Sequence, residues 1–120
     1  MAGDAPGLVV VPWYATAFRA DRFEVALAEI APVALRYGAT EYSVIRSRDD
    51  RYRFQQVSAF PGRVAWERYW YGPEFQEFRA TYTSWYQVPI VYEWQDLVVH
   101  GAIQPAEETE AEQQQSSAAG

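Results

Sequence analysis

The chain has 120 residues, no cysteine and a formal net charge of −6, with 49% hydrophobic and 22% charged residues, the proportions of one folded domain. Absence of cysteine removes thiolate catalysis, thiolate metal sites, iron–sulfur clusters and disulfide staples. Glu107, Glu108, Glu110 and Glu112 carry much of the acidity, and the ten basic residues, all arginine, are scattered among acids rather than gathered on one face, so nucleic-acid binding is not expected.

Residues 1–7 read as a flexible N-terminus without the basic and apolar regions of a secretory signal. No stretch approaches the roughly 20 apolar residues that span a bilayer, so a cytoplasmic protein without a membrane partner is expected. Residues 8–16 are β-branched and aromatic and predict a first strand, in which Pro12 argues for a sheet edge or a bulge. Trp13 and Tyr14 point to opposite faces of that strand. Asp21 with Glu24 three residues on forms a capping-box arrangement for a helix carrying Phe23, Leu27 and Ile30 at helical spacing. Pro32 should interrupt this helix, because it cannot donate to the carbonyl of Ala28, and Gly38 should close it.

Residues 40–48 and 52–60 alternate around Asp49-Asp50-Arg51 as the two arms of a hairpin, with Tyr42, Val44, Phe54 and Gln56 on one face and Glu41, Ser43, Arg53 and Gln55 on the other. Residues 64–71 read as a helix with Trp66, Tyr69 and Trp70 on one stripe. Gly72-Pro73 breaks it, and a second helix restarts at Glu74 and runs through Phe75, Phe78, Tyr82 and Trp85. Residues 89–100 read as a last strand with Tyr92 and Trp94 on one side and Val91, Leu97 and Val99 on the other. The folded domain is placed at residues 8–103, and residues 104–120, rich in Glu, Gln, Ser and Ala, read as a disordered acidic tail that could dock an unknown partner.

The order βαββαβ is the ferredoxin-like split unit, an α+β fold with a four-stranded antiparallel sheet and two helices, the second broken, on one face. The other sheet face keeps apolar residues, which predicts a homodimer in which two sheets meet.

Nine of the twenty-one residues from Trp66 to Tyr86 are aromatic. Such a density suits a planar hydrophobic ligand and equally suits a packed core, and the residues alone leave both open. Trp13, Trp66, Trp70, Phe78, Tyr92 and Trp94 are the ring candidates for ligand binding. Tyr69, Tyr82 and Tyr86 could donate to a phenolate or a reduced oxygen species. Arg79 could pair with an anionic enolate, or with Glu74, Glu77 or Glu93. These considerations nominate Arg79, Tyr82 and Tyr69 as catalytic. His100, at the end of the last strand, is read as incidental. No His, Asp or Glu group has metal-ligand spacing, and no serine has a neighbouring histidine.

The phrase Ala65-Trp66-Glu67-Arg68-Tyr69-Trp70 followed by Pro73-Glu74-Phe75, with the element order of residues 8–101, resembles the antibiotic-biosynthesis-monooxygenase-like branch of the dimeric α/β-barrel superfamily. That superfamily includes cofactor-independent oxygenases of aromatic polyketides and quinols, haem-degrading enzymes, polyketide cyclases and lactone isomerases, with ligands between the helices and the sheet. The haem-degrading branch uses an Asn on the first strand and a His on the second helix. This chain has no Asn, and its single histidine is His100, so haem is disfavoured and no cofactor is expected. The anthrone-oxidising branch resembles the chain in the helix-two tryptophan, here Trp66, but uses an Asn that the chain does not supply. The resemblance implies binding of a hydrophobic aromatic small molecule, with cofactor-independent monooxygenation of quinol- or anthrone-like substrates as the leading activity. The alternatives are a non-catalytic carrier of haem or a pigment, or an enzyme like the polyketide cyclases and isomerases.

Overall fold

A computed structural model describes residues 4–103, so the proposed tail at 104–120 lies outside the described residues. The elements run β1 (Gly7–Tyr14), α1 (Ala20–Ile30), a 3₁₀ helix (Ala31–Tyr37), β2 (Glu41–Arg46), β3 (Arg53–Phe60), α2 (Arg63–Trp70), α3 (Pro73–Thr81) and β4 (Glu93–Gln95). The four strands form one antiparallel sheet in the order β2-β3-β1-β4, the ferredoxin-like arrangement that the element order predicts.

Strand alternation decides which side chains meet the helices. Val9, Val11 and Trp13 of β1 and Phe54, Gln56, Ser58 and Phe60 of β3 are buried, and their neighbours in sequence face the other way. Trp13 therefore lies beneath the helices, whereas Tyr14 lies on the opposite face and donates from its hydroxyl to Asp50 Oδ2 at 2.7 Å. Above the sheet, α1 buries Phe23, Ala26, Leu27 and Ile30, while α2 and α3 bury Trp66, Tyr69, Trp70, Phe75 and Phe78.

Helix α1 starts one residue before Asp21, with Arg19 in the cap position and no side-chain cap, so the expected capping box does not form. The reason lies on β2, where the guanidinium of Arg46 draws Asp21 to 3.0 Å and Glu24 to 2.9 Å. Both acids are thereby taken by an ion pair across the fold. Pro32 acts as expected. The α-helix ends at Ile30, the chain tightens into the 3₁₀ helix, and Gly38 closes it at a left-handed φ of 102°. Gly72 marks the sharp corner between α2 and α3, where a Cβ would lie 2.5 Å from the carbonyl oxygen of Arg68 and 2.9 Å from the Tyr37 hydroxyl.

Two expectations about strands are corrected together. Pro12 does not sit on an edge strand, since β1 is interior between β3 and β4, and the last strand spans three residues instead of residues 89–100. The Ala15 N–H donates toward β3, to Tyr52, while the Tyr14 carbonyl accepts from Gln87 on the β4 side. By the alternation of an antiparallel ladder, even-numbered residues of β1 face β4. Pro6 and Pro12 are even-numbered and lack an N–H, so the ladder to β4 forms between them, at Leu8↔Gln95, Val9↔Trp94 and Val10↔Glu93. Helix α3 also stops earlier than expected, leaving Tyr82 and Trp85 in the turn that follows.

The second sheet face carries Leu8, Val10, Pro12 and Tyr14 from β1, Ile45 from β2, and Val57 and Ala59 from β3. All the helices pack on the opposite side. Ile45 is 52% exposed, and Leu97, Val98 and Val99, just past β4, are exposed as well.

Candidate functional site

Between the helices and the sheet the aromatic side chains form one continuous cluster. Trp66 and Trp70 stack with centroids 5.4 Å apart and planes at 25°. Trp13 meets Phe23, Phe78 and Tyr86 edge-on at 5.5, 5.8 and 5.0 Å. Tyr92 closes the flank of the tryptophan pair, edge-on to Trp66 at 5.0 Å and to Trp70 at 5.2 Å. The structure thus brings together Trp13, Trp66, Trp70, Phe78 and Tyr92. Trp94 stands apart, opposite Val9 on the sheet, with the Arg63 guanidinium 5.2 Å from its ring. These rings are in mutual contact, and clefts of about 480 Å³ lie at the surface, one lined by Phe18, Ala20, Asp21, Arg46, Arg51 and Tyr52 and another by Leu8, Ala59, Phe60 and Leu97 among others.

A chain of hydrogen bonds crosses this apolar layer. Trp13 Nε1 donates to Gln56 Oε1 at 3.1 Å, Gln56 Nε2 donates to the Tyr69 hydroxyl at 3.0 Å, and that hydroxyl donates to the Ile30 carbonyl at 2.6 Å. The acceptor is the last residue of α1, where Pro32 has interrupted the helical pattern. Burial pushes the Tyr69 phenol far above its ordinary range. Tyr69, nominated as a catalytic donor, therefore has its proton committed to the framework. Gln56 is the residue that sequence reasoning missed; its signal was a glutamine on the same alternating face as Phe54.

Against this paired chain, Trp66 Nε1 and Ser58 Oγ are buried without a hydrogen-bond partner. Buried polar groups are paired in the great majority of cases, and an orphaned one costs roughly 1–3 kcal/mol. Both residues are essentially fully buried, Trp66 at 0% and Ser58 at 1% exposure.

Arg79, half-buried at the end of α3, is the third distinctive group. One guanidinium nitrogen, Nη2, donates to the Trp70 carbonyl at 2.7 Å, and the guanidinium carbon sits 4.1 Å from the Trp70 ring centre and 5.1 Å from that of Phe75. Its other terminal nitrogen, Nη1, is buried and unpartnered. None of the glutamates weighed as partners forms an ion pair with it among the described residues. Glu74 instead accepts from the Tyr37 hydroxyl at 2.5 Å and faces Arg36 at 3.9 Å, and Glu93 accepts from Gln95 at 2.9 Å. Burial pulls the Arg79 pKa below its ordinary value.

The remaining candidates lie off this center. Tyr82 packs its ring on Phe78 at 5.2 Å and Trp85 at 4.6 Å, and it lines a shallow groove between α1 and α3 with Ala26, Glu29, Ile30, Glu74 and Glu77. Tyr86 donates from its hydroxyl to the Arg79 carbonyl at 3.1 Å, and His100 is exposed. Among the described residues no group of three or more His, Asp or Glu side chains is placed to hold a metal ion.

No protein-family profile matches the chain, and no curated protein is detectably similar to it. Solved structures are. A candidate antibiotic biosynthesis monooxygenase from Nitrosomonas europaea superposes with a TM-score of 0.71 at 18% identity, over 82% of this chain and 96% of that one. SnoaB, a cofactor-independent oxygenase from Streptomyces nogalater, superposes with a TM-score of 0.64 at 16% identity, over 82% of this chain and 94% of that one. Another candidate antibiotic biosynthesis monooxygenase, from Bacteriodes thetaiotaomicron, gives 0.69 at 11% identity, over 83% and 96%. The chain has the ferredoxin-like fold of these structures, two of which are described as antibiotic biosynthesis monooxygenases.

Proposed function

We propose that the protein is a cofactor-independent monooxygenase of planar hydroxylated aromatics of the quinol or anthrone type, which bind against Trp66 and Trp70 between the helices and the sheet. The observation that carries this reading is the Trp66 indole N–H, fully buried in a ring-lined layer and unpartnered, beside a fold shared with a cofactor-independent oxygenase. In this chemistry the substrate is its own reductant. An anthrone carbanion adds to dioxygen and takes up one proton to give a hydroperoxide, which loses water to leave the quinone carbonyl. The protein's part is to orient the ring system, exclude water and donate a hydrogen bond to the substrate oxygen that carries the developing charge. A planar ligand enters by displacing Tyr92 and its neighbours from the flank of the tryptophan pair. Two copies associate through the apolar second face of the sheet, which sedimentation or native mass spectrometry checks.

Oxygen uptake with a panel of anthrones and hydroquinones tests the activity. Trp66→Phe keeps the ring and removes the N–H, and kcat/KM is expected to fall about 100-fold, the usual effect of deleting one oxyanion donor. No uptake above buffer, or an unchanged Trp66→Phe enzyme, overturns the proposal. Among the described residues the fully buried polar side chains are Gln56 and Ser58, with no carboxylate and no histidine, which favours a ligand carrier as the second reading. A bound chromophore released unchanged, without oxygen uptake, would establish it.

A further inference from the structure

Among the described residues Phe18 is the one non-glycine residue with a positive φ, 67°, and at 94% exposure it is also the most exposed large apolar side chain. A left-handed backbone crowds the Cβ, and a phenyl ring left in water forgoes its burial, so the fold itself gains from neither. The loop is nonetheless firmly held. The Arg19 N–H donates to the Thr16 carbonyl at 3.1 Å and closes a turn with Phe18 in its third position, where a positive φ calls for glycine. The Thr16 N–H donates to the Trp85 carbonyl at 2.9 Å and its hydroxyl to the Ser84 carbonyl at 2.8 Å, while Arg19 Nη1 donates to the Ser84 carbonyl and hydroxyl, both at 3.2 Å. Backbone strain that the surroundings hold in place points to a use for the side chain it presents.

We infer that Phe18 is the tip of a peripheral contact with an anionic lipid surface, its ring entering the acyl boundary while the guanidiniums around it meet headgroup phosphates. Arg19, Arg22 in the first turn of α1, and Arg51, which lines the same cleft as Phe18, form no ion pair among the described residues. The nearby acids, Asp21 and Glu24, are both drawn to Arg46, at 3.0 and 2.9 Å. Four guanidiniums therefore stand against two carboxylates, a local positive excess on a chain of net charge −6. The adjoining hairpin tip is balanced, with Arg48 and Arg53 against Asp49 and Asp50. A standard protein interface covers about 800 Å² on each partner, whereas Phe18 projects between Ala17 and Arg19 with no second large apolar side chain beside it in sequence. One projecting ring with a cationic rim suits a fluid interface, which needs no complementary pocket and adds attraction for each arginine. The expectation of no membrane partner rested on the lack of a spanning segment. No helix among the described residues is long and apolar enough to cross a membrane, but a contact that lies on the surface needs none. This inference does not depend on the oxygenase reading.

Co-sedimentation of the full chain with two kinds of vesicle tests it: phosphatidylcholine alone, and phosphatidylcholine containing about one-third phosphatidylglycerol. Partition onto the anionic vesicles should be at least about 10-fold stronger, and the difference should shrink as salt is raised. Because the whole chain is negatively charged, such binding requires a local basic patch. Phe18→Gly should lower the partition about 10-fold while its thermal midpoint equals or exceeds that of wild type, since glycine accepts the positive φ without strain. Arg22→Gln with Arg51→Gln should lower it as well and flatten the salt dependence. Equal partition onto the two vesicles, no binding to either, or binding unchanged in Phe18→Gly overturns the inference. A Phe18→Gly midpoint below wild type also overturns it, because the ring would then serve the fold. Millimolar inorganic phosphate should leave the vesicle binding in place, and full displacement would assign the arginines to a soluble anion instead. Phe18-dependent binding to polyglutamate without binding to vesicles would assign the tip to an acidic protein and likewise refute the lipid contact.

Discussion

Replacing Tyr69 with phenylalanine separates a framework hydroxyl from a catalytic one. The ring stays, with its contacts to Phe60 at 5.9 Å and Phe75 at 4.7 Å, so the apolar packing is conserved. Two polar groups lose their partner at once, the Ile30 carbonyl, bonded at 2.6 Å, and the Gln56 amide, bonded at 3.0 Å. Both bonds are buried, and leaving a buried group unsatisfied costs roughly 1–3 kcal/mol each. Gln56 keeps its bond from Trp13, and the Ile30 carbonyl lies at a helix end that can relax slightly, so the lower half of that range applies to each group and the expected loss is about 2–4 kcal/mol. Against a typical domain stability of about 5–15 kcal/mol this is large. Urea unfolding followed by tryptophan fluorescence measures it, with the slope of free energy against urea expected to be unchanged. Adding Gln56→Leu to Tyr69→Phe should recover little, because it removes the stranded amide but leaves the buried Trp13 N–H without its acceptor. A Tyr69→Phe protein within about 0.5 kcal/mol of wild type would refute the reasoning, since it would mean that the hydroxyl is not paying for those two buried partners.

At the corner between α2 and α3, Gly72→Ala should cost about 1–3 kcal/mol, because its Cβ must displace the Arg68 carbonyl oxygen, 2.5 Å away; a thermal midpoint equal to wild type would count against this. Acid sensitivity should follow two surface carboxylates. A hydrogen bond from Tyr14 holds Asp50 below the usual carboxylate range, and one from Tyr37 does the same for Glu74. Their folded pKa values lie below the unfolded ones, so the stability they contribute is present above about pH 4 and is lost as pH falls through the folded values. Urea midpoints below pH 4 should therefore decline less steeply in the Tyr14→Phe, Tyr37→Phe double variant than in wild type, and parallel declines would contradict the assignment.

The element order, the broken second helix and the inward face of the hairpin were all legible, because each rests on a periodicity carried within its own segment. What was not legible depended on partners distant in the chain. Asp21 has the spacing of a helix cap, and only the fold brings Arg46 close enough to take it. Residues 89–100 alternate like a strand, but the ladder is limited by Pro6 and Pro12 on the neighbouring β1, which the segment's own pattern does not encode. The site divides in the same way. That Trp66, Tyr69 and Trp70 would share one helix stripe could be read from spacing, whereas whether Trp13 or Tyr14 would face them could not, and Trp94, grouped with them in the sequence, stands apart. Which tyrosine or indole would keep a free donor could not, since that turns on Gln56, thirteen residues before Tyr69, and on a helix end at Ile30.

The two sides of the aromatic layer are held by different forces, and this bears on how a closed cluster can be a binding site. On the helix side, the Trp13–Gln56–Tyr69–Ile30 chain and the Tyr37–Glu74 bond pin the rings with directional contacts. On the other side, residues 88–92 run without helix or ladder between Gln87, bonded to the Tyr14 carbonyl, and β4, with Ile90 and Tyr92 partly buried against the core. That side is held by packing. On the proposed reading, a planar ligand that replaced Tyr92 beside Trp66 and Trp70 would exchange one set of aromatic contacts for another, each worth about 0.5–1.5 kcal/mol beyond area burial, so ring stacking would nearly cancel in the exchange. What Tyr92 does not supply is an acceptor for the Trp66 N–H. On that reading the free energy that would distinguish a ligand from the side chain it displaces resides in that donor, and affinity should follow the position of the ligand's oxygens far more than the number of its rings.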